Sequence, residues 1–142
     1  MTSIKDLEPC RYFPVACDAL VTVGWLGTDT AFDTGAVSGP FVNRLKELCS
    51  EPWQPFASAG VHACELCQFD GPTRSANVFV PHRGRIYVAP VLIVHYVAAH
   101  WYRPPDVFID AVLACPPIRS MAYKTALLDN GGRNLVSPPK AP

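Results

Sequence analysis

Four residues stand at spacings that suit metal chemistry. Cys64 and Cys67 are two residues apart in "HACELC", and His95 and His100 are four apart in "HYVAAH", with 27 residues between the halves. Zinc takes four tetrahedral ligands drawn from thiolates and imidazoles. A CxxC turn aims two sulfurs at one point, and two histidines three to five residues apart supply the other half. In an ideal helix a five-residue step turns ~500°, which would leave the rings ~140° apart. The helix must therefore tighten or unwind near His100, and "RPP" ends it there, because a residue before proline disfavours helical angles. Such a set is closed, with no position open for a catalytic water, so the expectation is a structural Zn2+. His62, just ahead of the pair, is the substitute ligand if His100 points away.

Other readings of these residues are weaker. A thioredoxin-like dithiol should open a helix after a strand, and a structural disulfide needs an oxidising compartment. His95 alone, in an apolar run, would read as a buried core histidine; His100 and the cysteine pair reverse that. Cys10, Cys17, Cys49 and Cys115 have no ligand spacing and read as ordinary buried or part-buried thiols.

The elements that must position the four follow from pattern. "ALVTVGWL", Ala19 to Leu26, is β-branched and aromatic and predicts a strand. "SGPFVNRLKELCS" predicts a helix capped by Ser38, with Pro40 in its first turn and Phe41, Leu45, Leu48 and Cys49 facing the core. After the cysteine knuckle, "SANVFVPHRGRIYVAP" reads as a hairpin with Gly84 in its turn. "PVLIVHYVAAHWY" then reads as a helix. "PDVFIDAVLAC" is a further helix with Val107, Val112 and Leu113 or Ile109 for its buried face, and "SMAYKTALLDNGG" is another that ends near Gly131. The order of knuckle, hairpin and helix is that of a treble-clef zinc module. The expected fold class is α+β: a small zinc-stapled domain, with the zinc module at about 60–103 and flanking helices. One domain is expected over 1–130, with a flexible tail over 131–142.

Charge gives a second feature. No Asp or Glu occurs from Gly71 to Pro105, where Arg74, Arg83, Arg85 and Arg103 accompany His82. Such a set suits phosphates or an acidic partner, although charged side chains more often guard exposed sheet edges. The aromatic residues nearby, Phe79, Tyr87, Trp101 and Tyr102, read as core rather than as a base-stacking platform.

Composition bounds the rest. The 142 residues are 49% hydrophobic and 17% charged, enough apolar matter for a packed core and too much for wholesale disorder. Zero formal net charge disfavours a strongly basic nucleic-acid binder. Fifteen prolines predict short elements. The first residues carry charges and a proline where a signal peptide needs an unbroken apolar run. The longest apolar stretch, "VAPVLIVHYVAA", is shorter than the ~20 residues that cross a bilayer. A cytoplasmic protein with reduced cysteines and no membrane contact is expected.

"GWL", "GVHACELC" and "LIVHYVAAHWYRPPDVFIDAV" together resemble a family of small, functionally uncharacterised bacterial proteins. These carry G-x-H-x-C-x-x-C, a hairpin, and H-Y-V-x-x-H-x-Y-x-P-P. The similarity runs roughly from Leu20 to Val112 and falls on Gly60, His62, Cys64, Cys67, His95, Tyr96, His100, Tyr102, Pro104 and Pro105. It implies a zinc-stapled domain and supplies no activity. The chain departs from the family around "TDTAFDTGAVSG", where the family tends to be shorter.

The leading functional expectation is a non-enzymatic binding or adaptor domain with an unidentified protein partner. No Gly-rich phosphate loop, HExxH, nucleophile elbow or zinc-deaminase signature occurs. Two alternatives are a weak nucleic-acid-binding domain that uses the arginine hairpin, and a zinc-supported nuclease or other hydrolase with His82 as base.

Overall fold

The structure, a computed structural model, describes residues 3–55, 61–69 and 71–137. It is α+β, built from two small sheets and five helices among the described residues. Gly60 and the end of the expected tail lie outside the described residues.

The main sheet has the order β1-β5-β4. Strands β4 (Asn77–His82) and β5 (Arg85–Pro90) form the expected antiparallel hairpin, with His82 opposite Arg85 and Asn77 opposite Pro90. Its two-residue turn puts Arg83 at φ 47° and Gly84 at φ 81°. A tight hairpin turn needs this left-handed pair, because it matches the twist of the flanking strands. The Gly84 N–H donates to Oδ1 of Asn130 at 2.6 Å, so the hairpin tip is docked on a helix end. Both strands are buried along almost their whole length, as expected of strands covered on both faces.

Strand β1 (Leu20–Thr22) pairs with β5 in parallel. It is shorter than the predicted Ala19–Leu26. Gly24 takes φ 77° and gives its N–H to Asp6 Oδ1 at 2.9 Å, which turns the chain out of the sheet. The residues before β1 run alongside it without forming a regular strand. Leu7 N–H donates to Thr22 O at 2.7 Å, and Cys10 N–H to Leu20 O at 3.0 Å.

Helix α1 (Gly39–Ser50) follows prediction. Ser38 Oγ accepts from Phe41 N–H, and Phe41, Leu45 and Leu48 are buried, with Cys49 half-buried against them. Strands β2 (His62–Ala63) and β3 (Thr73–Arg74) form a small antiparallel pair that brackets the cysteine knuckle. Helix α2 (Ile93–Ala99) starts later than the pattern suggests. Pro90 is still paired in β5, and Val91 N–H bonds Ala76 O at 3.0 Å, so the sheet holds these residues until the chain leaves it.

Helix α3 (Asp106–Ala114) buries Phe108, Ala111 and Val112. Val107 and Leu113, expected in the core, are exposed instead. Phe108 decides the face: its ring packs edge-on against Phe41 and Tyr87. Helix α4 (Met121–Asp129) is capped by Ser120, and buried Tyr123 donates its hydroxyl to Phe79 O at 2.5 Å. The tail expected from residue 131 begins with a short helix, α5 (Arg133–Val136), whose Leu135 is buried. No helix among the described residues is long and apolar enough to cross a membrane.

Candidate metal centre

The knuckle and α2 bring Cys64, Cys67, His95 and His100 together. One ligand atom from each lies within 4.8 Å of all the others. Cys67 Sγ is 3.2 Å from His95 Nε2 and 3.4 Å from His100 Nε2, and Cys64 Sγ is 3.3 Å from His100 Nε2. Cys64 is buried and the other three are half-buried.

Local structure explains the convergence. The β2–β3 pairing puts His62 opposite Arg74 and Ala63 opposite Thr73, and Cys64 N–H extends the ladder to Pro72 O at 3.2 Å. This closes a tight loop with both sulfurs inside. Gly71 lies against them: a Cβ there would sit 3.0 Å from Cys64 Cβ and 3.1 Å from Cys67 Sγ. On the other side, His95 is in the first turn of α2, while His100 is its C-cap at φ −118° and ψ 11°, already off the helical path. The predicted unwinding is thus present, and the two rings meet with centroids 5.0 Å apart at 78°.

The unwound end is held from within. Tyr96 O accepts the N–H of both His100, at 3.0 Å, and Tyr102, at 3.2 Å. Between these residues Trp101 takes φ 56°, a left-handed conformation that a bulky side chain rarely adopts, and its ring stays exposed. The buried Tyr102 hydroxyl donates to Asp6 Oδ2 at 2.6 Å, while Asp6 Oδ1 accepts from Gly24. One carboxylate therefore ties the residues after His100 to those after β1. Burial raises the pKa of both partners.

The donor set fits a soft or borderline divalent cation. Without one, burial and then the neighbouring Cys64 thiol push the Cys67 pKa up. A dication relieves that repulsion between two adjacent thiolates. Burial, then His100 and Arg74, hold the His95 pKa down, which keeps the ring in its neutral, ligating form. The arrangement can hold a metal ion with four protein donors.

His62, the substitute ligand, is outside this group. It is 2% exposed, and its ring stands edge-on to Trp25 with centroids 5.1 Å apart. Neither ring nitrogen has a hydrogen-bond partner among the described residues. Burial lowers its pKa, so it sits neutral in an aromatic pocket completed by Tyr12.

Comparison with known families supplies the affiliation. Residues 2–113 match the family model described as a domain of unknown function, DUF7919. The chain belongs to the DUF7919 family. The matched DUF7919 region contains all four clustered donors and ends inside α3, so α4 and α5 lie beyond it. No curated protein and no solved structure matches the chain.

The candidate partner-binding residues of this DUF7919 chain do not form one surface. Arg74 is exposed beside the knuckle. Arg83 and Arg85 are exposed at the hairpin tip, next to half-buried His82. Five residue steps of β4, ~17 Å of strand, separate that tip from the Arg74 end. Arg103 is committed elsewhere, donating to Ala36 O and to Asp106 Oδ1, both at 2.7 Å. Of the four aromatic residues expected in the core, Phe79, Tyr87 and Tyr102 are buried and Trp101 is not.

Sequence reasoning missed three supports of the centre: Gly71, the Tyr96 carbonyl, and the bond between Asp6 and Tyr102. Glycine four residues after Cys67 was the available signal for the first. The others depend on contacts across long sequence distances and leave no local pattern.

Proposed function

We propose that the cluster is a structural zinc site in a treble-clef-like arrangement, and that the domain is a non-enzymatic binding module. The observation that carries this is the mutual approach of two thiols and two imidazoles within 4.8 Å. Two sulfurs and two nitrogens are a common tetrahedral zinc set, and four protein donors leave no place for a reactive water. Zinc in such a site supplies folding energy and no chemistry of its own. Tyr96 O and Gly71 then act as positioning groups: one fixes where His100 leaves the helix, and the other lets the knuckle close over the ion. A reducing, cytoplasmic setting keeps Cys64 and Cys67 available as thiolates.

The nuclease alternative draws no support from the geometry. His82, its proposed base, stands at the far end of β4 from the cluster, so base and metal do not share a site. The separation of Arg74 from Arg83 and Arg85 likewise weakens the reading of one nucleic-acid face.

Metal analysis of the purified full chain tests the proposal. The expected result is about one zinc per chain, with loss of folded structure on chelation. A fully folded, metal-free chain sinks it.

A further inference from the structure

A cleft lies beside the metal centre, between the later turns of α1 and the outer side of α2, and encloses about 380 Å³. Val91, Val94 and Ala98 form an apolar wall. Lys46 from α1 and Arg74 from β3 stand at its margin, and His95 is shared with the metal centre. No carboxylate lines the cleft among the described residues. Neither cation has an ion-pair partner among the described residues, whereas Arg44 is paired with Glu47 and Arg103 with Asp106. Among the described residues, the Arg74 guanidinium bonds its neighbour's carbonyl alone, Thr73 O, at 2.7 Å. Among the described residues, two positive charges without an ion-pair partner therefore border one apolar wall.

We infer that this cleft binds a small carboxylic acid with a compact apolar body. The carboxylate is received by the forked donors of Arg74, whose geometry matches it two bonds to two oxygens, with Lys46 adding a point charge. The body lies against Val91, Val94 and Ala98. The volume is at the lower end of the ~300–1,000 Å³ typical of small-molecule sites, which suits a ligand of one ring or a short chain. A bare phosphate shares the anionic chemistry but leaves the apolar wall wet. The inference gives the binding-module reading a ligand class. It stands on α1, β3 and α2 rather than on the identity of the metal.

Titration of the purified full chain with phenylacetate, 2-phenylethanol and inorganic phosphate, followed by backbone amide NMR, tests it. Metal content is measured for every variant, so failure of the cleft is separable from failure of the metal centre. Saturable phenylacetate binding is expected, with shifts centred on residues 91–98. Arg74→Ala and Lys46→Ala should each weaken it about tenfold, and Arg85→Ala should leave it unchanged. Lys46 is on α1 and belongs neither to the four-donor cluster nor to the knuckle, so Lys46→Ala remains decisive if Arg74→Ala also lowers metal content. Binding of 2-phenylethanol or phosphate as tight as that of phenylacetate would overturn the inference. So would phenylacetate binding that is absent, or that survives both substitutions.

Discussion

Cys67 Sγ and His95 Nε2 lie 3.2 Å apart across 28 positions of sequence. Between them the chain makes the second strand of a small pair, a hairpin and the entry to a helix. That distance suits a thiol and an imidazole sharing a cation, and the ligand atoms of all four residues lie within 4.8 Å of one another. Structural zinc in small domains contributes an apparent ~10–16 kcal/mol. A domain of this size has a total stability of ~5–15 kcal/mol. Replacing one thiol should therefore remove the fold itself.

The first expectation follows from that comparison. Cys64→Ser and Cys67→Ser should each lose metal and fail to give a cooperative unfolding transition by circular dichroism. Cys10→Ser, at a buried thiol outside the cluster, should keep its metal and lose only a modest amount of stability.

Gly71 should tolerate no side chain. The added Cβ of Gly71→Ala would press on both cysteines at 3.0–3.1 Å. Overpacking of this kind costs ~1–3 kcal/mol, and here it falls on the ligands. Competition with a chromophoric chelator should show weakened metal affinity. Gly24→Ala should destabilise the protein by about 2 kcal/mol or more through its φ of 77° and a contact of 2.7 Å with Ile93 Cδ1.

His62 and His100 should behave oppositely. His100→Ala removes a donor and should release the metal. His62→Phe keeps the edge-on packing on Trp25 and removes a buried ring N–H that has no partner among the described residues. An unsatisfied buried donor costs ~1–3 kcal/mol, so this variant should keep its metal and unfold no earlier than wild type in urea.

The sequence made the four-donor cluster legible because ligand chemistry is local: two cysteines two apart, two histidines four apart, and a turn sequence between them. The helix end at His100 was legible for the same reason, from "RPP". Other features follow from packing. Phe108, meeting Phe41 and Tyr87, turned α3 so that Val107 and Leu113 face outward. The sheet held Pro90 and delayed α2. Leu135 found buried space and ordered the start of the tail. Arg103 looked available for a partner, but it is spent within the chain on Ala36 and Asp106.

Asp6 links the pH response to the same framework. Burial raises its pKa above 3.8 in the folded state. Between 3.8 and the higher folded value the folded protein holds a proton that the unfolded chain has released, so stability from this group is full below 3.8 and falls as pH rises through the folded value. Asp6→Asn carries no charge and still accepts from Gly24, but its amide donates to the Tyr102 oxygen and leaves the buried Tyr102 hydroxyl proton without that acceptor. In urea unfolding the stability of wild type relative to Asp6→Asn should be lowest at pH 7 and should rise as the pH falls toward 3.8.

X-ray absorption at the zinc edge of the purified chain tests the four-donor centre most directly. Two sulfurs at ~2.3 Å and two imidazole nitrogens at ~2.0–2.1 Å are the expected shell. A shell with a single sulfur, or with a water oxygen in place of one imidazole, would contradict a closed centre made by Cys64, Cys67, His95 and His100.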